Sequence, residues 1–188
     1  MHFHFHAAML IQEEEYGDAI LSKWPIQLRH VGILPTAKSR LAFEPRGAIW
    51  LTIQKNGQEV QIINTHLGLS YRERFAQIEA LLGSEWLGHP ECKTPRILCG
   101  DFNALPDSTV HLKALQHLND SQRALKGHRP KATFPSRYPL IRLDYVFTSQ
   151  DLEVLEILVP KTQLTKVASD HLPLIVDVKL PTFAASQT

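Results

Sequence analysis

Two β-rich runs joined by an Asn-Gly turn set the tightest limit on what this chain can fold into. AIWLTIQ (48–54) and EVQIINTHL (59–67) flank KNGQ. Asn-Gly between such runs favours a two-residue turn whose twist matches that of antiparallel strands. A hairpin over about Ala48 to Leu67 is therefore predicted, and its apolar side chains need a partner layer.

The following residues offer one. In SYRERFAQIEALLGSEWLG (70–88), Phe75, Ile78, Leu82 and Trp86 recur at helical spacing, and Ser70 with Glu73 fits a capping box. That predicts an amphipathic helix from about Tyr71. TPRILCG (94–100) is a short continuous apolar run, as expected of a strand buried on both faces. A second helix should start at Asp107 or Ser108, with Leu112, Leu115 and Leu118 on its inner side. LDYVFTS, LEVLEILV and HLPLIVDVKL read as three further strands, and residues 182–188 as a disordered tail.

The first residues alternate, with His2, His4 and His6 on one side and Phe3 and Phe5 on the other. Such histidines could hold a metal, but a strand with one buried aromatic face is the simpler expectation. Helices intervene among predominant strands, one pair of which is antiparallel. The expected class is α/β or α+β with a mixed sheet, in a single domain over residues 1–188.

Composition narrows the function. The hydrophobic share of 44% and charged share of 21% are those of a globular chain, and a net charge of +1 gives no overall attraction for nucleic acid. A local basic groove stays open. Cys92 and Cys99 form no C-x-x-C pair and no secretory segment precedes them, so a reduced cytoplasmic protein is expected. No apolar run approaches the roughly 20 residues of a membrane-spanning helix.

The chemistry lies at the strand ends. His66 follows one apolar run, and Asp101 and Asn103 follow another. Asp144 opens a strand, and Asp170 and His171 open the last. Each alone reads as a turn, cap or structural residue. Together they would line a cleft with carboxylates, imidazoles and an amide. Oxygen donors suit Mg²⁺, which takes one or two protein carboxylates and leaves positions for water and substrate. Imidazoles add proton transfer or hydrogen bonds to phosphate near neutral pH. Zinc is disfavoured, because the histidines lack close ligand spacing and cysteines are few.

At these residues the sequence resembles the endonuclease/exonuclease/phosphatase superfamily of metal-dependent phosphoesterases. The matching segments are YGDAILSKWPI, RGAIWLTI, INTHLG, ILCGDFNALPDS, TFPS with RLDYVF, and SDHLPLIVDV, in the family's order. The resemblance implies a mainly antiparallel β-sandwich flanked by helices in four layers, and a Mg²⁺ or Mn²⁺ cofactor. Asp101 would orient or deprotonate the attacking water, and Asn103 would hold that water or a phosphate oxygen. His171 would contact phosphate with its tautomer fixed by Asp144, Asp170 and Asp101 would bind the metal, and His66 would protonate the leaving group. Arg46 and Arg142 are candidate phosphate contacts, with Arg137 a weaker one, since guanidinium forks match phosphate oxygens.

The chain departs from the family at its front, where the expected Asn strand and the Gln-Glu strand carrying the principal metal ligand have no counterpart. Gln12 and Glu13 imitate that pair but adjoin YGDAILS directly, so Glu13, Glu14 and Glu15 are expected to be a solvated run. The domain is expected to be N-terminally incomplete, with weakened cation binding and an exposed sheet edge open to self-association. The expected substrate is a small phosphodiester, a nucleotide or a lipid head group. The alternatives are an apurinic or deoxyribonuclease-like endonuclease acting on nucleic acid, or a non-catalytic binding module retaining the fold.

Overall fold

The computed structural model of the protein describes residues 1–36 and 44–182. Its elements are β1 (His2–Ile11), β2 (Glu14–Ser22), β3 (Ile26–Ile33), β4 (Gly47–Lys55), β5 (Gln58–His66), α1 (Tyr71–Leu82), β6 (Arg96–Asp101), α2 (Thr109–Leu115), β7 (Asn119–Asp120), α3 (Ser121–Ala124), β8 (Asp144–Thr148), β9 (Glu153–Leu158), α4 (Thr165–Ala168) and β10 (Ile175–Lys179). The expected tail falls, apart from Thr182, outside the described residues.

A six-stranded sheet in the order β3-β4-β5-β6-β8-β7 forms the central layer. Only β5 and β6 pair in parallel, with α1 as their crossover; the other neighbours are antiparallel. The predicted hairpin is β4–β5, and Asn56 and Gly57 take φ of 52° and 77°, the left-handed pair that a type I′ turn requires. β1 and β2 form a second hairpin through Gln12 and Glu13, which adopt positive φ of 46° and 71° without glycine or asparagine. β9 and β10 pair antiparallel as a separate two-stranded sheet, with α4 in the connection between them.

The main core lies on one face of the central sheet. Trp50, Ile63, Leu98, Tyr145 and Phe147 project from alternate strand positions onto Ile78 and Leu81 of α1 and Val110 and Ala114 of α2. Removing a large side chain from such a core costs about 2–5 kcal/mol. The inner face of α2 is thus Val110 and Ala114, with Leu118 beyond its end, while Leu112 is 48% exposed. Of the expected Leu112–Leu115–Leu118 stripe, Leu118 lies in the core and Leu115 packs against it, and Leu112 alone faces outward. Ser108 caps α2 as expected, accepting from His111 N at 3.4 Å, whereas Ser70 makes no side-chain cap bond to α1.

The opposite face is covered unevenly. The β1–β2 hairpin packs over β3, β4 and β5, and under it Ile49 and Leu51 are fully buried. Further along, Ile97, Cys99 and Val146 are only half-buried, so β6 is enclosed on one face rather than both. The β1 expectation is also corrected: Phe3 and Phe5 are 72% and 40% exposed, and His4 and His6 lie on the packed side. Alternation fixes which residues share a face, and the neighbouring sheet here takes up the histidine face.

Candidate active site

Register, more than sequence proximity, assembles the site. His66 ends β5 opposite Asp101 at the end of β6, and Asp101 faces Asp144 at the start of β8. All three occupy the strand face opposite α1 and α2, because each falls on the odd or even positions that point that way. Gly100 permits the close approach. Its φ is 136°, and a Cβ there would stand 1.8 Å from Thr65 O, so no other residue fits the bend before Asp101.

Beyond Asp101 the chain turns sharply. Asp101 Oδ1 accepts from Asn103 N at 2.8 Å, an Asx turn with Asn103 at φ 46°. The Asn103 amide nitrogen donates to Leu67 O at 2.9 Å and lies 3.1 Å from His66 Nε2. His171, in the loop between α4 and β10, brings Nδ1 to 2.8 Å from Asp144 Oδ2 and Nε2 to 3.8 Å from Asp101 Oδ2. The ring of Phe134 packs against His171 with centroids 4.9 Å apart. The resulting cleft, about 650 Å³, is lined by Arg46, His66, Asp101, Asn103, Asp144 and His171.

Electrostatics divides the two imidazoles. Burial opposes charge on His171, but the hydrogen bond to Asp144 and the charges of Asp144, Asp101 and Asp170 outweigh it and raise its pKa above the ordinary histidine value. Burial and the nearby Arg46 push His66 down to about 4. At neutral pH His66 is therefore uncharged in this cleft. Arg46 reaches His66 Nδ1 at 3.2 Å and pairs with Glu44 at 2.9 Å. Burial pushes the Asp101 carboxyl up, assisted by Asp144 and opposed by the Asn103 N–H, His171 and Arg46.

Among the described residues, one group of donors is spaced for a metal ion: Asp101, Asp144 and His171, whose ligand atoms lie within 4.8 Å of one another. Two carboxylates and one imidazole, on a cleft where burial already penalises the bare Asp101 charge, fit a divalent cation such as Mg²⁺ or Mn²⁺. Asp170, expected to share the ion with Asp101, lies on the cleft wall outside this group, with its carbonyl oxygen accepting from Ser136 N at 2.6 Å.

Arg142 does not face the cleft. Its side chain is buried and donates to both oxygens of Asp120 at 2.9 and 2.8 Å, so its charge is already neutralised and the phosphate contact expected of it is not available. Asp120 also accepts from His111 Nε2 at 3.1 Å and caps α3 through Gln122 N. Tyr145 donates to Ala104 O at 2.8 Å. This buried assembly ties the loop after Asn103 to the segment before Asp144. Nothing in the sequence flagged it, because its members come from separate segments.

Comparisons with known proteins give the family and the fold. A family model described as "Endonuclease/Exonuclease/phosphatase family" matches residues 3–171. The relative named uncharacterized protein YbhP of Escherichia coli (strain K12) is 29% identical over 174 residues, which is 89% of this chain and 64% of the relative. The chain thus spans less than two thirds of that protein's length. An endonuclease/exonuclease/phosphatase family protein from Leptotrichia buccalis shares the fold with a TM-score of 0.75 at 21% identity, over 95% of this chain and 71% of that one. The human Nocturnin catalytic domain does so at 0.68 and 24%, over 95% and 72%. A mannosyl-6-phosphatase from Bacteroides thetaiotaomicron gives 0.72 at 18%, over 95% and 77%.

Proposed function

Since the chain belongs to the endonuclease/exonuclease/phosphatase family, whose members generally hydrolyse phosphoester bonds with divalent metals, we propose that it is a Mg²⁺- or Mn²⁺-dependent phosphoesterase. The observation that carries this reading is the in-register meeting of Asp101 and Asp144 with His171 beside them.

Asp101 and Asp144 would hold the cation, which when bound supplies positive charge to the phosphoryl oxygens. Asp101, with its raised proton affinity, is suited to orient a water and take its proton. Asn103 positions that water or a phosphate oxygen. The proton on His171 Nδ1 is held by Asp144, so Nε2 is presented to the cleft, and its raised pKa favours a charge-assisted contact with phosphate. Arg46 adds a second cation on the same wall. His66, neutral, donates or accepts a hydrogen bond and holds Asn103 in place.

A net charge of +1 supports a small phosphodiester or a head group over a long nucleic acid, which a protein grips through many cationic contacts. Hydrolysis of bis-p-nitrophenyl phosphate tests the reading. Turnover should require Mg²⁺ or Mn²⁺ and disappear in Asp101→Ala and His171→Ala. Equal rates in wild type and both variants would refute it.

Self-association belongs to the same proposal. β1 pairs only with β2 among the described residues, leaving one long edge beside exposed Phe3 and Leu21, and such edges recruit further strands. A strictly monomeric mass at micromolar concentration would remove this part.

A further inference from the structure

One wall of the cleft carries a surface that the hydrolysis of a small soluble ester leaves unused. Residues 134–141 fold back on themselves, with Phe134 and Ile141 bridged and Leu140 N donating to Phe134 O at 2.8 Å. The root of this turn touches the site, through Phe134 against His171 and Ser136 N on Asp170 O. Its tip points away, leaving Tyr138 and Leu140 77% and 80% exposed.

Ser136 Oγ donates to Lys166 O at 3.2 Å and so joins the turn to α4. There Leu164 and Val167 are 73% and 72% exposed. The two joined segments thus carry four large exposed apolar side chains. Large exposed apolar groups in one place mark a binding surface. Arg137, Lys161 and Lys166 lie among them, with Lys161 Nζ 5.9 Å from the centre of the Tyr138 ring. Neither 134–141 nor 161–168 contains Asp or Glu.

We infer that this turn and α4 dock the protein on an anionic phospholipid membrane and set the cleft at the level of the head groups. Charge complementarity selects the partner: the two segments offer three cations and no acid of their own, with Asp170 at the root of the turn, so the charge they turn to a negative leaflet is net positive. Aliphatic side chains select against nucleic acid. Leu140, Leu164 and Val167 gain by entering the acyl boundary, whereas bases stack on aromatic planes, and Tyr138 is the one aromatic exposed here. That the docked head group is also the substrate rests on the phosphoesterase reading above; the docking itself does not.

Co-sedimentation of the full chain with vesicles separates these statements. Binding to phosphatidylcholine vesicles containing phosphatidylglycerol should exceed that to phosphatidylcholine alone by about tenfold or more. The double variant Leu140→Ser/Leu164→Ser should lose about tenfold of that binding while keeping wild-type hydrolysis of bis-p-nitrophenyl phosphate and a wild-type melting curve. Lys161→Glu should weaken binding only where phosphatidylglycerol is present. No preference for anionic vesicles, or unchanged binding in the double variant, overturns the inference. So does a single-stranded oligonucleotide that binds in preference to vesicles and loses affinity in the same variants. Vesicle binding without any ester hydrolysis in the wild type would uphold docking and fail only the enzymatic proposal.

Discussion

His171 Nδ1 lies 2.8 Å from Asp144 Oδ2, and this contact decides which way the imidazole faces. With Nδ1–H held by the carboxylate, Nε2 is left toward Asp101 and the cleft. The pair repeats the general logic of a catalytic ring oriented by a third group.

Asp144→Asn removes the acceptor charge and allows the other tautomer. Hydrolysis of a soluble diester should fall by about 10²-fold or more, as when an orienting carboxylate is neutralised elsewhere. The His171 pKa should drop toward or below the ordinary histidine value, since burial pulls it down and Asp144, through its hydrogen bond and its charge, does most to raise it. Ring-proton NMR titration reads this directly. A His171 that titrates as in wild type would show that Asp144 does not control it.

Asp18 gives a stability prediction. It sits on β2, 8% exposed, and burial pushes its carboxyl up to about 7 against the opposing charge of Arg46. The unfolded chain titrates near 3.8, so between these values the native state binds the extra proton. Its stabilising protonation is complete below the unfolded pKa and lost as pH rises through about 7. Asp18→Asn should therefore stabilise the protein at pH 8 by on the order of 2–4 kcal/mol and change it little near pH 4. Thermal melts at the two pH values check the sign; a larger gain at the acidic end would contradict it.

Arg142→Met should act on folding. It leaves Asp120 as a buried charge with His111 and the more distant Arg123 as partners, and breaking a buried pair from one side costs about 3–5 kcal/mol. Chemical denaturation should show that loss. In whatever fraction stays folded, KM for the soluble diester should be near wild type. A raised KM with unchanged stability would restore Arg142 as a phosphate contact.

Local sequence chemistry was enough for the pieces with strong local signals. Asn56-Gly57 announced the β4–β5 hairpin, and helical spacing announced α1 from Tyr71. The stretch from Cys99 to Asn103 showed a strand ending in an acid and an amide, and the structure bends there at Gly100 and Asn103. Family motifs in their expected order made the fold legible. The β1–β2 turn was harder, since Gln12 and Glu13 carry no usual turn signal.

What the sequence determined by itself was most of the strands, β3 and β7 excepted, with their alternation and the polar residues at their ends, because those depend on neighbours a few positions apart. Tertiary structure alone decided which side of each strand was covered: Phe3 outward, Val110 and Ala114 inward in place of Leu112. It also decided that Asp120 neutralises Arg142 and that burial beside Arg46 leaves His66 uncharged. Burial and electrostatic partners are set by segments distant along the chain, and a charge's state follows from what surrounds it in space.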